Sequence, residues 1–329
     1  MKEITKRKKL LVICGPTATG KTSLGIKIAK NLGGEIVSAD SRQVYIGMDI
    51  GTGKDLPKNS SFKNNNTKLG GYYLVEGVRV WGYDFVRPTQ EFSVAQYSKI
   101  AGKILEDIWG RGKLPILVGG TGLYIKAIVD GIETTGVPKS SKLRLLLSDL
   151  SPKELYERLA QISPIKAASM NSSDRANPRR LVRAIEVADW ETRKRRKAAL
   201  KKKRLADEVL MVGLQLPMES LCKKIETRVK NRLKMGFEEE VKSLIAKRGF
   251  KNSQAMTSLG YQEWQNYLNG KISKKEAISL WTRGECKYAK RQMTWFKKDK
   301  RIQWFDPTKS DNIKQIEKTA ERWYSSLDA

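Results

Sequence analysis

The sequence predicts an α/β fold in which helices flank a parallel sheet and a helical domain is inserted. Short apolar runs alternate with helical periodicity over the first 130 residues. A glycine-rich turn joins the first apolar run to the first helix, and residues 129–204 carry helical signals without strand signals. Strands that alternate with helices form parallel sheets, because each crossover helix returns the chain to the same end of the sheet. We expect a discontinuous core domain, residues 1–128 and 205–329, and a helical insertion domain, residues 129–204.

Local signals mark where the individual elements begin and end. The first helix ends at Gly33 and Gly34, since glycine readily adopts the left-handed conformation that closes a helix. Ser151 followed by Pro152 is typical of a helix start. In chain order, we predict a strand at residues 10–14, a helix at 21–31, strands at 35–39 and 81–86, a helix at 94–109, strands at 114–118 and 209–216, and mainly helices over 221–305.

Charge and histidine content limit the possible chemistry. The 329 residues include 64 Lys and Arg against 35 Asp and Glu, a formal charge of +29, and no histidine. Without imidazole, Ser-His-Asp and Cys-His nucleophiles, histidine zinc ligands and a histidine general base are excluded. The positive charge favours a polyanionic partner such as nucleic acid.

Cysteine spacing and the lack of long apolar runs indicate the cellular compartment in which the protein is expected. Cys14, Cys222 and Cys286 are odd in number and widely spaced, which argues against a disulfide framework or a cysteine-rich zinc site. The apolar run at residues 10–14 is too short for the core of a signal peptide. No apolar run in the sequence reaches the length of about 18 residues that a membrane span needs. We expect a cytoplasmic monomer without membrane association.

Residues 15–22 fit the pattern G-x-x-x-x-G-K-[ST] between a strand and a helix. Glycines let such a turn curl until its backbone N–H groups point inward at phosphate oxygens. The following helix directs its positive dipole end at the same anion, Lys21 adds a charge, and the Thr22 hydroxyl is suited to ligate Mg²⁺. We predict a P-loop NTPase-like sheet whose phosphate- or diphosphate-binding turn consists of Gly15, Pro16, Thr17, Ala18, Thr19, Gly20, Lys21 and Thr22.

Asp40 is the acidic residue nearest to a predicted strand end. A P-loop ATPase normally has an Asp at the end of a second apolar strand, but residues 114–118 run into Gly119, Gly120 and Thr121 instead. From the motif alone, Asp40 has three roles open to it. It ligates Mg²⁺ through water, acts as a general base towards a second substrate, or caps a turn or helix.

Five sequence blocks occur in a fixed order between residues 15 and 296. The first comprises the P-loop with DSRQVY (40–45) and GMDIGTGK (47–54), and the others are GGTGLY (119–124), NPRRLVRAIEV (177–187), LGYQ (259–262) and AKRQMTW (289–295). This series resembles the tRNA dimethylallyltransferases (tRNA isopentenyltransferases). It covers most of the chain and is therefore far more specific than the P-loop.

The resemblance implies transfer of a dimethylallyl group from dimethylallyl diphosphate to the exocyclic N6 amine of an adenine, with release of diphosphate. That adenine is 3′-adjacent to the anticodon of a tRNA. The P-loop would then hold a leaving group rather than ATP, so no acid is required after residues 114–118. Mg²⁺, bound in part by Thr22, is the expected cofactor. Donor and acceptor would meet at the carboxyl ends of the strands.

The resemblance also assigns roles to individual residues. Asp40 would accept a proton from the adenine amine, Thr17 and Thr121 would hydrogen-bond the substrates, and Arg291 would bind the diphosphate. A basic run at residues 193–204 is a further candidate for RNA contact. The implied tRNA-binding residues are Asp40, Ser41, Arg42, Gln43, Thr121, Arg144, Arg179, Arg180, Leu181, Val182, Arg183, Gly260 and Tyr261.

Two departures from the family pattern stand out, and other functions stay open. The chain lacks the usual His-His pair between the first two blocks, and Cys286 stands where the family commonly has an arginine. A relative that prenylates free adenine nucleotides lacks the need for a basic RNA-binding surface. A small-molecule kinase would pass on the γ-phosphate of ATP, and a non-enzymatic RNA-binding protein would not need Asp40.

Overall fold

The computed structural model describes residues 7–57, 60–64, 70–194 and 204–326. The chain divides into two compact units. The core unit is Met1–Asp130 with Arg204–Ala329, and the insertion unit is Gly131–Lys203. The basic run predicted to touch RNA lies outside the described residues from 195 to 203.

The core unit contains one mixed sheet. In the described residues its strands are β1 (Lys9–Cys14), β2 (Glu35–Ser38), β3 (Ser61–Lys63), β4 (Tyr72–Val75), β5 (Val78–Trp81), β6 (Pro115–Gly119), β7 (Glu208–Leu214) and β8 (Gln303–Phe305). Their spatial order is β3-β4-β5-β2-β6-β1-β7-β8. Neighbours from β5 to β8 are parallel, and β3, β4 and β5 pair antiparallel. The carboxyl ends of β1, β2 and β6 therefore share one edge, where open α/β sheets bind ligands.

Helices account for most of the rest. In chain order the described α-helices are α1 (Lys21–Leu32), α2 (Val94–Gly110), α3 (Gly122–Val129), α4 (Ser141–Leu146), α5 (Pro152–Ile162), α6 (Pro164–Ala168), α7 (Ser172–Arg175), α8 (Pro178–Lys194), α9 (Met218–Lys234), α10 (Phe237–Ile245), α11 (Tyr261–Leu268), α12 (Lys274–Phe296) and α13 (Ser310–Ser325). None of these helices is both long and apolar enough for a membrane crossing.

Strand β1 is covered on both faces, which explains its uninterrupted apolar sequence. Val12 and Cys14 face the core cluster that includes apolar residues of α2, α3 and α9 to α12. Leu11 and Ile13 face the opposite cluster, which includes residues of α1 and α13. Parallel strands buried on both faces read as continuous apolar runs, because neither face meets water.

The predicted and observed strands differ at the edges of the sheet. The strand expected at residues 81–86 is misplaced: the observed strand β5 ends at Trp81, because Gly82 takes φ = 97° against the backbone of Ser38, and residues 82–86 lie outside it. Strands β3, β4 and β8 were not predicted, since each has only three or four residues. Strands of three or four residues carry too few positions for a periodic signal.

One cysteine expectation is corrected by the structure. Cys222 on α9 and Cys286 on α12 form a disulfide, with their Cα atoms 5.5 Å apart. The two residues are 64 positions apart in sequence, so only the packing of α9 against α12 brings them together. Cys14 is a free, buried thiol whose burial raises its pKa to about 12.

The insertion unit has its own apolar core. Helices α5 and α8 pack through side chains that include Leu155, Leu159, Leu181 and Ile185, all at most 1% exposed. The amphipathic helix α5 begins at the Ser151 capping box that the sequence predicted. This unit therefore has the cluster of buried side chains that a separately packed domain requires.

Candidate active site

The glycine-rich turn leaves β1 and passes directly into α1. Gly15 has φ = 132°, and a Cβ there would overlap the carbonyl oxygen of Leu214 on β7. Thr19 Oγ1 and Lys21 Nζ both donate to the carbonyl oxygen of Pro16, at 2.9 and 2.5 Å. The turn is thus closed on itself beside a neighbouring strand. Its backbone N–H groups lie at the start of α1, where an anion is favoured.

Burial and one neighbouring arginine lower the pKa of Lys21. Burial, and then the neighbouring positive charge of Arg228, lower the pKa of Lys21 to about 8, although Asp40 acts in the opposite direction. A lysine with this pKa is held charged at neutral pH at a cost in free energy. A bound anion would offset that cost, so the site is electrostatically prepared for phosphate groups.

Two side chains that the sequence did not single out hold Thr17. Arg228 on α9 donates from Nη1 to Thr17 Oγ1 at 3.0 Å. Gln292 on α12 accepts the Thr17 backbone N–H at 3.0 Å and donates to the carbonyl oxygen of Gly120 at 2.9 Å. Gln292 lies inside the predicted block 289–295, which was a usable signal. Arg228 lies in none of the five blocks, and nothing in its local sequence distinguishes it.

Asp40 follows β2 and faces the same edge of the sheet. Its Oδ1 accepts the backbone N–H of Arg42 at 2.8 Å, with Gln43 N at 3.4 Å. Within the described part of the chain, Oδ2 has no hydrogen-bond partner. Turn capping, one of the three roles left open, is therefore observed for one oxygen, while the other oxygen is available to a ligand.

Thr121 contacts the turn that follows Asp40 through hydrogen bonds to Ser41. Its Oγ1 accepts the backbone N–H of Ser41 at 3.0 Å and donates to Ser41 Oγ at 3.4 Å. Burial first, and then the charge of Asp40, raise the pKa of Tyr288, so this phenol stays neutral. Thr121 does not line the cavity described next, so its contacts fit a positioning role better than direct substrate contact.

A cavity of about 790 Å³ lies over this edge of the sheet and joins these groups. A volume in this range is typical of ligand sites. Arg291, the arginine predicted to bind diphosphate, also lines the cavity, and its guanidinium carbon lies 5.7 Å from the Tyr288 ring centroid. The predicted site residues that line it are Thr17, Ala18, Gly20, Lys21, Thr22, Asp40, Ser41, Arg42, Gln43 and Arg291.

Two predicted tRNA-binding residues of the core unit, Gly260 and Tyr261, are buried. Tyr261 is 0% exposed and its hydroxyl donates to Glu240 at 2.6 Å. Gly260 takes φ = 91°, and a Cβ there would overlap the indole of Trp281. Both residues hold α11 in place and present no side chain to a partner.

The side chains of Arg42 and Gln43 also form hydrogen bonds within the core unit. Arg42 donates to the carbonyl oxygen of Gln254 at 2.9 Å and to Thr257 Oγ1 at 3.2 Å. Gln43 accepts from Ser38 Oγ and donates to the carbonyl oxygen of Gly53. These bonds shape the wall of the cavity.

In the insertion unit, the predicted RNA-contacting arginines divide into two groups. Arg144 and Arg183 pair with the buried carboxylate of Glu186, at 2.7 and 3.0 Å. Burial opposes ionisation of Glu186, but hydrogen bonds from Arg144, the Ser140 backbone and Arg183 lower its pKa to about 2. Both arginines therefore have a structural role.

The second group lies at the start of α8. Arg179 and Arg180 are exposed, and Arg180 pairs with Asp174. Leu181, also predicted to bind tRNA, is 0% exposed, and its side chain belongs to the apolar core of this unit. Val182 is partly buried and packs against the same core. The first turn of α8 thus exposes charged side chains on one side and packs apolar side chains into the core on the other.

Comparison with known proteins identifies the family. The family described as IPP transferase matches residues 43–299, and that described as isopentenyl transferase matches residues 8–75. A tRNA dimethylallyltransferase of Anoxybacillus flavithermus is 39% identical over 302 residues, 91% of each chain. One from Carboxydothermus hydrogenoformans is 39% identical over 94% of this chain and 96% of its own.

A solved structure agrees with both the family and the fold. The tRNA isopentenylpyrophosphate transferase of Bacillus halodurans has a TM-score of 0.66 and 32% identity, with 96% of each chain covered. These comparisons confirm the predicted resemblance and the P-loop NTPase-like fold. The chain belongs to the tRNA dimethylallyltransferase family of prenyltransferases.

Proposed function

We propose that this protein transfers the dimethylallyl group of dimethylallyl diphosphate to the N6 amine of the adenine 3′-adjacent to the anticodon in tRNA. The products are N6-(dimethylallyl)adenosine and diphosphate. The observation that carries the proposal is the single cavity shared by the phosphate-binding turn, Arg228 and the free oxygen of Asp40. It brings an anion site and a proton acceptor together, which this reaction needs and simple phosphate binding does not.

The leaving group is held by the turn and its cationic neighbours. Backbone N–H groups at the start of α1, Lys21 and Arg228 are fixed before substrate arrives, so they do not need to reorganise as charge develops. Breaking the allylic C–O bond leaves its electron pair on the diphosphate, which these groups stabilise. Arg291, on the same cavity wall, is a further candidate ligand of the diphosphate.

Asp40 directs and deprotonates the nucleophile. The adenine amine is weakly nucleophilic because its lone pair is delocalised into the ring. As the N–C bond forms, the amine loses a proton, and Asp40 Oδ2 is the acceptor. The bond from Arg42 N to Oδ1 fixes the orientation of the carboxylate. General-base assistance of this kind contributes about 10²–10⁴-fold.

The residues present fit a Mg²⁺ ion only together with the substrate. The described residues contain no cluster of three or more His, Cys, Asp or Glu side chains that could hold a metal. Mg²⁺ commonly takes one or two protein ligands and completes its shell with phosphate oxygens and water. Thr22 lines the cavity at the start of α1 and would supply its hydroxyl, and the ion would neutralise charge on the diphosphate.

The tRNA would be bound by positive surface in both units. The formal charge of +29 supplies the electrostatic attraction, and Arg179 and Arg180 offer exposed guanidinium groups at the start of α8. The target base must leave its stack, which costs least in a single-stranded loop such as the anticodon loop. We also propose that the enzyme acts in the cytoplasm as a monomer.

Nucleoside analysis tests the reaction directly. We expect mass spectrometry of tRNA incubated with dimethylallyl diphosphate to show an added C5H8 group on adenosine at the anticodon-adjacent position. Incubation with [γ-³²P]ATP should transfer no label to any acceptor. Modification of free AMP in place of tRNA, or transfer of the γ-phosphate, would overturn the proposal.

A further inference from the structure

We propose that Arg232 neutralises Glu285 inside the cavity and thereby keeps Arg228 available for the diphosphate. The inference rests on the proposed function, because it takes the ligand of the turn to be a diphosphate. It assigns Arg232 a positioning role: the residue acts on the anion site through Glu285 and Arg228.

Arg232 and Glu285 form a buried ion pair in the wall of the cavity. Arg232 is 4% exposed and Glu285 is 8% exposed. Arg232 Nη1 donates to Glu285 Oε1 at 3.2 Å, and both residues line the cavity. The indole Nε1 of Trp281 donates to the same carboxylate oxygen at 3.4 Å. The Glu285 carboxylate therefore has one cationic partner in reach among the described residues, and that partner is Arg232.

Arg232 also lies next to Arg228. The two arginines are one turn apart on α9, and a Cβ on Gly53 would overlap the Nη2 atoms of both. Arg228 uses its guanidinium for Thr17, the carbonyl oxygen of Gly53 and Asp55. Two guanidinium groups packed against one glycine repel each other, so Arg232 disfavours movement of Arg228 towards α12.

The electrostatic consequence concerns Glu285. A carboxylate in the wall of a diphosphate cavity repels the ligand, and it offers Arg228 an alternative ion pair away from Thr17. Arg232 removes both effects because its guanidinium forms an ion pair with the Glu285 carboxylate. Burial first, and then the charge of Arg228, lower the pKa of Arg232, while the Glu285 carboxylate acts in the opposite direction. The Nε atom of Arg232 has no hydrogen-bond partner in the described structure. Hydrogen bonding alone therefore does not account for a buried guanidinium at this position, and its charge is the remaining contribution.

A double-mutant cycle with inorganic diphosphate, measured by titration calorimetry, tests the inference. We expect Arg232→Met to weaken binding at least about tenfold, because it leaves Glu285 unpaired beside the anion. Glu285→Gln alone should not weaken binding, and the double variant should bind within about threefold of the wild type. An unchanged affinity of Arg232→Met, or a double variant as weak as Arg232→Met, would overturn it.

Matched variants separate this effect from general loss of charge or of structure. Lys230 pairs with Glu226 on the exposed side of the same helix, so Lys230→Met and Glu226→Gln should leave diphosphate affinity unchanged. If Arg232→Met does not fold, the double variant, which has no unpaired buried charge, decides the question by the same threefold criterion. With both substrates, Arg232→Met should raise KM for the allylic diphosphate and leave kcat nearly unchanged. Wild-type protein that fails to bind diphosphate would instead overturn the proposed function.

Discussion

The side-chain oxygen of Gln292 accepts the backbone N–H of Thr17 at 3.0 Å, while its amide nitrogen donates to the carbonyl oxygen of Gly120. Gln292 is 5% exposed, so it joins the phosphate-binding turn, the end of β6 and helix α12 away from water. The shape of the turn therefore depends on a residue 275 positions away in the chain.

Replacing Gln292 should cost both stability and diphosphate binding. Gln292→Ala leaves one buried donor and one buried acceptor unsatisfied, so we expect the free energy of unfolding to fall by about 1–3 kcal/mol. Urea denaturation measures this change. Gln315→Ala, on the exposed side of α13, is the matched control and should change stability by less than about 0.5 kcal/mol. Equal stabilities of the two variants would contradict a stabilising role for the hydrogen bonds of Gln292 to Thr17 and Gly120.

Two substitutions of Asp40 should separate its capping role from its proton-accepting role. Asp40→Asn keeps an oxygen for the Arg42 N–H, and Asp40→Ala does not. We expect kcat to fall about 10²–10⁴-fold in both, with tRNA affinity retained. Only Asp40→Ala should also lose about 0.5–2 kcal/mol of stability. Full activity of Asp40→Asn would rule out the carboxylate as the base. Single-turnover kinetics with thermal denaturation provide both readouts.

Diphosphate affinity should depend on pH through Lys21. The pKa of Lys21 is lowered to about 8 in the free protein, so the side chain loses its charge as pH rises above that value. A bound diphosphate favours the charged lysine, so binding takes up a proton there and affinity declines. Calorimetry between pH 7 and 9.5 should show a pH profile that differs from that of Lys21→Met, which should bind weakly and keep only the pH dependence of the diphosphate's own ionisation. Identical pH profiles would contradict the assignment.

The same pKa predicts the effect of Lys21 on stability. Because the folded pKa lies below the unfolded value of 10.5, the unfolded chain binds more protons between about pH 8 and 10.5, and the contribution of Lys21 to stability becomes more favourable across that interval. Below pH 8 Lys21 is charged in both states and its desolvation cost is complete. We expect Lys21→Met to be more stable than the wild type at pH 7, with the difference shrinking towards pH 10.5. A constant difference in thermal stability over this range would exclude a lowered pKa.

Glu240 should anchor the segment that includes Gly53. Its carboxylate accepts the backbone N–H groups of Asp49, Ile50 and Gly51 at 2.8, 2.7 and 3.0 Å. We expect Glu240→Ala to lower the free energy of unfolding by roughly 3 kcal/mol, since charge-assisted bonds are lost and buried donors are left unpaired. Denaturant titration checks this value. Glu239→Ala, one residue earlier on α10, should have little effect, and a similar loss in both variants would count against the anchor.

Arg179, one of the exposed arginines at the start of α8, should contribute to RNA affinity through its charge. Arg179→Ala should reduce the slope of log affinity against log salt concentration by about 0.7–0.9 if this guanidinium contacts one phosphate. Arg179→Lys keeps the charge and should keep the slope. Leu181→Ala should instead lower stability by about 2–5 kcal/mol, because it empties a core position. Filter binding at several salt concentrations measures the slopes, and equal slopes for Arg179→Ala and the wild type would exclude the contact.

The first strand, the phosphate-binding turn and the first helix could be predicted within a residue or two, because they depend on neighbours in the sequence. The predicted helix at residues 21–31 is α1, Lys21–Leu32, and the strand at 10–14 is β1, Lys9–Cys14. Asp40 and Arg291, which the resemblance to the family singled out, both line the cavity. Arg228 lies in none of the five blocks, and it meets Thr17, 211 positions away, only in the folded protein.

Burial likewise lies beyond local reasoning. Leu181 and Tyr261 occupy blocks that resemble RNA-contacting segments, yet their side chains are fully buried. A block pattern records which residues occur together, but not which side of a helix packs inward. Only the completed core separates the exposed Arg179 from the buried Leu181 two positions later.

The amino-acid sequence alone predicted a glycine-rich turn suited to phosphate groups and an α/β fold with a helical insertion, and it showed that the chain is strongly basic. These properties follow from short-range geometry and composition. The tertiary structure decided which side chains of α9 and α12 reach the turn, and which carboxylate oxygen is left free. Such contacts join residues more than 200 positions apart, and they exist only once both faces of the sheet are covered.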